Sequence, residues 1–202
     1  MTTTPLRAAP LPAAPPGPTP TTVRDVTLHD PLVAPLLDGL AQEYGTRYTG
    51  LLTPAQLREE LAHHGAEDFA PPHGALVLLL EGGTAVAGGA YRRRTEPEHG
   101  ELARLRDPAA RTADGTPAVP TAELKRIWTH AAHRRRGLAR VVLAELEARA
   151  AAAGYPRVYL TTGPRQPEAV GLYLAAGYTP LFDPATYPGD AVPHAFEKWL
   201  LP

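Results

Sequence analysis

Residues 133–140 read His-Arg-Arg-Arg-Gly-Leu-Ala-Arg, and this stretch decides how the rest of the chain is interpreted. An apolar segment that favours a strand precedes it at 122–129, and apolar residues at helical spacing predict a helix over 134–153. The first backbone N–H groups of a helix have no intrahelical acceptor. Because a ligand can approach the backbone closely at Gly137, the stretch predicts a binding site for an anion such as a pyrophosphate. The alternative is an arginine-rich helix start that faces solvent.

The segments on either side predict an α+β fold in which helices cover a mixed sheet. Strands are predicted at residues 22–28, 76–80, 85–91, 122–129, 157–162, 178–182 and 195–201. Helices are predicted after Asp30-Pro31, after the capping-box pattern at 53–56, over 134–153 and over 167–176. Residues 95–120 carry proline and glycine throughout, which predicts a long irregular segment that is either functional or mobile.

Composition limits the chemistry that this chain can perform. It has 202 residues, a formal net charge of −1, and no cysteine, serine or asparagine. Disulfides, thiolate catalysis, a serine nucleophile and cysteine-bound metals are therefore excluded, and no metal site is predicted. The near-neutral charge argues against a nucleic-acid partner, since phosphate binding needs an excess of basic residues.

The N-terminal segment differs in composition from the rest of the chain. Seven of the 24 prolines lie within residues 1–20 and interrupt every apolar run there. We therefore expect a disordered Pro/Ala-rich tail at 1–20, not a signal peptide, followed by one domain over 21–202. No other stretch approaches the roughly 20 apolar residues that span a bilayer. The expectation is a cytoplasmic protein with no membrane partner.

Three blocks of the sequence resemble one protein family. Arg134-x-x-Gly137-x-Ala139 is similar to the Q/R-x-x-G-x-G/A signature of the GNAT acetyltransferase superfamily. Residues 160–178, LTTGPRQPEAVGLYLAAGY, resemble the next block of its bacterial branch, and residues 122–126, AELKR, resemble the start of its fourth strand. The resemblance implies a GNAT-type, mixed but mostly antiparallel seven-stranded sheet with helices on both faces. It also implies an N-acetyltransferase that uses acetyl-CoA.

The resemblance assigns the donor side of the site to residues around these blocks. The amides and basic side chains near residues 134–140 would hold the pyrophosphate of acetyl-CoA, and strand residues 127–129 would lie beside its pantetheine arm. A free strand N–H becomes available there only if the fourth and fifth strands separate. The implied cofactor-binding residues are Ile127, Trp128, Thr129, Arg134, Arg135, Arg136, Gly137, Leu138, Ala139, Arg140, Gln166, Ala169 and Leu172.

Two residues match the positions that carry proton transfer in the family. Tyr173 would protonate the departing thiolate, and the alternative is a tyrosine of the core. Glu123 would take a proton from the attacking ammonium, directly or through water, and the alternative is a surface glutamate paired with a neighbouring base. Strand alternation would place Lys125, Ile127 and Thr129 on the same face as Glu123.

The acceptor side is predicted less specifically than the donor side. Glu43, Tyr44, Arg47 and Tyr48 are expected to bind the substrate, and the alternative is packing at the end of a helix. The three arginines at 92–94 could bind an acidic substrate, whereas a solvated strand edge is the competing interpretation.

The leading hypothesis is direct acetyl transfer to a small-molecule amine within a ternary complex, because no cysteine or serine can carry an acyl group. Alternatives are a protein amine as acceptor, a non-catalytic acetyl-CoA sensor on the same fold, and a nucleic-acid-binding domain that uses the arginine triplets. Residues 95–120 and the loop that follows residue 178 are expected to border the acceptor pocket. The sequence leaves a homodimer open.

Overall fold

The computed structural model describes residues 20–50, 53, 56, 64–187 and 193–200. Within them the chain forms a seven-stranded sheet in the order β1-β2-β3-β4-β5-β7-β6. The strands are β1 (Thr21–Val26), β2 (Ala75–Glu81), β3 (Thr84–Arg93), β4 (Thr121–Thr129), β5 (Arg157–Thr162), β6 (Thr179–Pro180) and β7 (His194–Trp199). Every neighbouring pair is antiparallel except β4 and β5, which are parallel. The predicted mostly antiparallel seven-stranded sheet is confirmed.

Three α-helices lie within the described residues: α1 (Ala34–Arg47), α2 (Leu138–Ala152) and α3 (Pro167–Ala175). The predicted start of the first helical segment is confirmed, because the Asp30 carboxylate accepts a hydrogen bond from the Leu32 N–H at 2.9 Å. A 3₁₀ turn over Pro31–Val33 then leads into α1.

The prediction that the long helix begins at Arg134 is wrong. Residues 134–136 form a turn, and the first residue of α2 is Leu138. Arg135 and Gly137 have φ angles of 61° and 78°, in the left-handed region of backbone space. A right-handed helix cannot continue through such residues, so α2 starts only after Gly137.

Two predicted segments lie largely outside the described residues. One is the helix expected after residue 53, although its capping box is present. The Thr53 N–H donates to Gln56 Oε1 at 2.8 Å, and the Gln56 N–H donates to Thr53 Oγ1 at 3.2 Å. The other is the tail predicted at 1–20, of which only residue 20 is described. The strand predicted at 178–182 is confirmed with changed bounds, since β6 has two residues.

Helices cover both faces of the sheet, as predicted. On one face, Leu146 of α2 and Val170 of α3 pack in one apolar cluster with Val77 of β2. On the other face, Leu36 of α1 packs in a second cluster with Leu78 of β2 and with a 3₁₀ helix, Ala66–Phe69. Because alternate residues of a strand point to opposite faces, β2 supplies both clusters and is apolar up to Leu80, with Glu81 as its last residue.

β4 and β5 are paired along only part of their length. The pairing begins with Thr121 opposite Arg157 and ends with Glu123 opposite Tyr159. Beyond that pair β4 and β5, both described in full, are no longer paired with each other. We call this divergence the β4–β5 split. It satisfies the condition under which a backbone group of β4 becomes available to a ligand.

A β-bulge in β4 changes which side chains share a face. Gly88 of β3 pairs with Trp128, but Ala90 pairs with Lys125, so β4 has one extra residue there. As a result Ile127 packs on the α2 side and Trp128 on the α1 side. The expectation that Glu123, Lys125 and Ile127 share one face is therefore wrong for Ile127.

The irregular segment at 95–120 is bound to the sheet through backbone hydrogen bonds. The His99 N–H donates to Tyr159 Oη at 2.9 Å, the Glu101 N–H to the Leu181 carbonyl at 2.7 Å, and the Arg106 N–H to Glu197 Oε1 at 2.5 Å. Anchors at three separate points hold the segment against β5 and β7, which is unlike a mobile loop.

Candidate active site

A cavity of about 410 Å³ lies at the open end of the β4–β5 split. Its walls come from α1, the end of β4, the turn before α2, the first turn of α2, and α3. The lining residues are Leu40, Glu43, Tyr44, Ile127, Trp128, Thr129, Arg134, Arg135, Gly137, Leu138, Ala139, Arg140, Gln166, Glu168, Ala169, Leu172 and Tyr173. All the predicted cofactor-binding residues except Arg136 are among them, which brings three separate sequence blocks to one space.

The turn before α2 presents unpaired backbone N–H groups to this cavity. The amides of Leu138 and Ala139 lie in the first turn of α2, where no preceding helical carbonyl can accept from them. A Cβ atom placed on Gly137 would meet no atom within 4 Å, so the space in front of the turn is open. Arg134, Arg135 and the positive end of the helix dipole add favourable potential for an anion.

The side chain of Arg136 does not take part. Its guanidinium donates two hydrogen bonds to the Glu81 carboxylate, at 2.9 and 2.8 Å, and lies against His133. These contacts tie the turn to the β2–β3 hairpin, outside the cavity. The Arg136 side chain is thus paired with Glu81, 55 residues earlier in the chain, and Arg136 is the one predicted cofactor-binding residue that does not line the cavity.

Gln166 shapes the cavity wall from within the β5–α3 turn. Its side-chain carbonyl accepts hydrogen bonds from Thr162 Oγ1 at 2.7 Å and from the Gly163 N–H at 3.0 Å. Its own backbone N–H donates to Tyr187 Oη at 3.1 Å. The side chain thus positions the start of α3, and with it the residues of α3 that line the cavity.

Tyr173 reaches the same cavity from α3 and is only 6 % exposed. Burial, with a smaller contribution from Tyr44, raises the pKa of its hydroxyl well above the ordinary value. The group therefore keeps its proton at neutral pH, as a hydrogen-bond donor or general acid must. The ring also packs against Phe196 and Tyr178, so Tyr173 is part of the core as well as of the cavity wall.

Glu123 is fully buried and lines neither this cavity nor the one described below. Its carboxylate lies 2.6 Å from Arg92, 2.9 Å from Arg94 and 3.2 Å from Lys125. Burial alone would raise the pKa of Glu123, but the charges of Lys125, Arg94 and Arg92 outweigh it and hold the pKa below its usual range. Such a carboxylate is a weak base, and the structure shows the predicted alternative of pairing with basic neighbours, although not at the surface.

The arginine triplet at 92–94 is not a solvated strand edge. β3 lies between β2 and β4, and Arg92 is 5 % exposed. Arg92 and Arg94 both point to Glu123, while the residue between them, Arg93, is exposed. The sequence signal for this arrangement was the alternation of the triplet itself, which puts its first and third members on one face.

The sequence that forms this cavity matches one known protein family. The model of the acetyltransferase (GNAT) family matches residues 37–178, which span α1 to the end of α3 and contain the whole cavity. The chain belongs to the GNAT acetyltransferase family. No curated protein sequence matches it.

Solved GNAT structures share the fold. An acetyltransferase from Streptococcus agalactiae 2603 is 14% identical, with a TM-score of 0.59 over 89% of this chain and 98% of that chain. The GNAT domain of S. lividans PAT is 19% identical, with a TM-score of 0.58 over 88% and 89%. PaiA N-acetyltransferase from Thermoplasma acidophilum, in complex with coenzyme A, is 11% identical, with a TM-score of 0.59 over 89% and 99%. The TM-scores show that this chain shares the fold of these three structures.

Of the four residues predicted to bind the acceptor, two line the cavity of this GNAT domain. Glu43 and Tyr44 do so, and Glu43 also receives ion pairs from Arg134 at 2.6 Å and Arg47 at 2.8 Å. Leu40, one helical turn before Tyr44, lines the cavity too and was missed, because its spacing only indicated a buried helix face.

Arg47 and Tyr48 instead connect the end of α1 to the β5–α3 turn. Arg47 forms an ion pair with Glu168 and donates to the Arg165 carbonyl at 2.6 Å. Tyr48 lies over Gly163, where an added Cβ would collide with its hydroxyl. Helix-end packing, the alternative interpretation, describes the contacts of Tyr48, whereas Arg47 also lines the second cavity described below.

A second cavity of about 490 Å³ adjoins the first. It lies between α1 and the β4–α2 loop, and the two share Glu43, Trp128 and Arg134 as common walls. Residues 95–120 line neither cavity. Across the described ranges there is no cluster of three or more potential metal ligands, and no helix long and apolar enough to cross a bilayer.

Proposed function

We propose that this GNAT domain is an N-acetyltransferase that moves the acetyl group of acetyl-CoA directly to a small-molecule amine. The observation that carries the proposal is that the open amide turn at Gly137, the unpaired end of β4 and the hydroxyl-bearing Tyr173 border one cavity. An anion site, a free strand edge and a proton donor are the three features that binding and cleaving a CoA thioester require.

The residues divide the binding task along the cavity. The amides of Leu138 and Ala139, with Arg135 and Arg140, would hold the pyrophosphate. The unpaired backbone at 127–129 would bind the amide groups of the pantetheine arm as an added strand does. Support comes from the T. acidophilum relative, whose structure contains coenzyme A.

Acetyl-CoA supplies the activated thioester, and this chain supplies the proton transfers. Tyr173 keeps its proton at neutral pH and would donate it to the departing thiolate. Glu123 is held ionised by three cations, so we assign the deprotonation of the amine to water and not to a direct contact with Glu123. Transfer is direct, because the chain offers no cysteine or serine nucleophile.

Acetyl-CoA binding is tested by thermal unfolding with acetyl-CoA, with desulfo-CoA and NADH as reference ligands. At a hundredfold excess over Kd, a ligand that binds only the native state raises the free energy of unfolding by about 2.7 kcal/mol. Each kcal/mol raises Tm by roughly 2–4 °C for a domain of this size. Gly137→Glu should abolish this shift. Gly154→Glu is the matched control: its φ is 86° against 78° for Gly137, and neither Cβ would meet an atom within 4 Å. An equal loss of the acetyl-CoA-induced rise in Tm in both variants, or no rise in the wild-type protein, would contradict the proposal.

Catalysis is tested by coenzyme-A release over a panel of amines, with Tyr173→Phe as the probe. We expect kcat to fall about 10²-fold while the acetyl-CoA-induced Tm shift persists. Tyr178→Phe is the control, since that hydroxyl donates to Glu147 at 2.7 Å and not into the cavity. A normal kcat in Tyr173→Phe would show that Tyr173 is a residue of the core with no part in proton transfer. Acetyl-CoA binding without turnover of any amine would indicate a sensor.

A further inference from the structure

Five charged side chains meet beside the apex of the β4–β5 split, and we call them the split cluster: Arg92, Arg94, Glu96, Glu123 and Lys125. Around Glu123 lie Arg92 at 2.6 Å, Arg94 at 2.9 Å and Lys125 at 3.2 Å. Glu96 adds a second carboxylate, 2.9 Å from Arg92 and 3.6 Å from Arg94. Three positive charges thus share two negative charges.

The surplus charge is set in a largely buried place. The side chains of Arg92, Arg94 and Glu123 are 6, 10 and 0 % exposed. Tyr159 packs beneath Arg94 and stays neutral, because burial raises its pKa to about 12. The guanidinium of Arg126, the residue that follows Lys125 in β4, lies over the ring of Phe69. Buried charges are normally paired, so an unmatched cation indicates a place for an anion.

The surplus lies next to the reaction space. Glu123 and Tyr159 form the last β4–β5 pair, so Lys125 is the first side chain on its face of β4 beyond the apex. It is 25 % exposed and therefore accessible, unlike the two arginines behind it. Two residues further along β4, Ile127 lines the cavity from the other face of the strand, so Lys125 lies beside the cavity along β4 and is not one of its lining residues. Lys125 is also one of two lysines in a chain with 18 arginines.

We propose that the acceptor is an amine that also carries a carboxylate, such as an amino acid, and that Lys125, backed by Arg92 and Arg94, binds this carboxylate beside the split. The inference rests on the proposed function and names its substrate class. One surplus charge matches one carboxylate, and a bound carboxylate would give the split cluster three negative charges for its three positive ones. A phosphonate or phosphate, which carries more than one negative charge, would leave an excess of the opposite sign.

The test compares amines that carry a carboxylate with analogues in which the carboxylate is replaced by a carboxamide or a phosphonate. Coenzyme-A release is measured for amino acids and their carboxamides, and for β-alanine and 2-aminoethylphosphonate, in the full-length protein. We expect kcat/KM to be at least about 10-fold higher for the acids than for the carboxamides, the effect of one charge-assisted hydrogen bond. β-Alanine should also exceed its phosphonate analogue.

Lys125→Gln should remove the preference by raising KM for the acids at least about 10-fold relative to KM for the carboxamides, and Lys125→Arg should restore part of it. Lys198→Gln is the matched control, since Lys198 is 27 % exposed, is paired with one carboxylate, that of Glu147, and is not part of the split cluster. Both glutamine variants should retain the acetyl-CoA-induced Tm shift, which shows that they fold.

Three outcomes would overturn the inference and are distinguishable from one another. Equal rates for acids and carboxamides in the wild type would show that no carboxylate is recognised, although the protein acetylates amines. A preference that survives in Lys125→Gln, or one for the phosphonate, would show that this cluster does not select a carboxylate. An acetyl-CoA-induced Tm shift with no turnover of any amine would contradict the proposed function itself.

Discussion

Two buried ion networks lie on either side of the start of β5, and they differ in charge. The loop network consists of Glu98, Arg111, Arg157 and Glu197, with Arg157 bound to Glu98 at 2.9 Å and to Glu197 at 2.8 Å. Arg111 completes it at 3.2 Å from Glu98. Two cations thus meet two anions, whereas the split cluster has three cations and two anions.

The difference separates a structural role from a binding role. In the loop network Arg157, Glu98 and Glu197 have fully buried side chains, and Arg111 also donates to the Gly100 and His99 carbonyls. Every charge is matched, and the result is a 95–120 segment fixed on β5 and β7. The split cluster instead leaves one charge unmatched where β4 and β5 separate, which is the place where a ligand could reach it.

The largest effect is expected from breaking the matched network. Arg157→Met would leave Glu197 and part of Glu98 buried without their cation, which costs about 3–5 kcal/mol and lowers Tm by roughly 6–20 °C. Calorimetry measures the change in Tm. Arg104→Met is the control, because Arg104 pairs with Glu101 at the surface and should change stability by less than about 1 kcal/mol. Similar losses in both variants would remove the distinction between the networks.

A smaller loss is expected at the residue that touches both regions. Tyr159 accepts the His99 N–H of the 95–120 segment and carries Arg94 of the split cluster over its ring. Tyr159→Phe leaves that N–H without its acceptor, which costs about 1–3 kcal/mol. Hydrogen exchange should show faster exchange at His99 while α2 stays protected. Uniform loss of protection would show that the segment is not a separate unit.

Acid should weaken the split cluster through Glu96. Burial would raise the pKa of Glu96, but hydrogen bonds from Arg92 and from the backbone lower it from 4.5 to about 2. A depressed carboxyl pKa stabilises the fold above the unfolded value, and this contribution disappears as pH falls from about 4.5 towards 2. Urea unfolding should show a shallower loss of stability in that interval for Glu96→Gln than for the wild type. If the free energies of unfolding of the two proteins fell in parallel with pH, this prediction would be contradicted.

The smallest effect is expected from removing the surplus charge. Lys125→Met makes the split cluster two against two, so its free energy of unfolding should stay within about 1 kcal/mol of the wild type, or rise. Chemical denaturation of Lys125→Met beside Arg157→Met makes the comparison direct. A loss as large as that of Arg157→Met would mean that Lys125 is needed for the fold.

The donor side of the site could be predicted because its residues are close in sequence. Gly137, Leu138 and Ala139 act through backbone geometry at one helix start, which local rules describe well. Even there the prediction extended the helix back to Arg134, since left-handed backbone at Arg135 is not evident from residue type. Arg136 was assigned to the ligand for a related reason: its partner, Glu81, is 55 residues away.

The acceptor side could not be predicted in the same way, because distant segments assemble it. Glu123 matches a catalytic position, but its protonation depends on Arg92 and Arg94, which reach it across the β3–β4 pairing. The bulge in β4 also reversed the face of Ile127, and a one-residue change of register moves every later side chain.

The sequence by itself determined the order of strands and helices within the described residues, the absence of cysteine and serine, and the position of Tyr173 in its motif, because each depends on local backbone rules or on composition. Only the tertiary structure decided where β4 and β5 separate, which arginines face the ligand, and how the buried charges add up. Electrostatic energy depends on distance and burial in space, and neither is recorded in the spacing of residues along a chain.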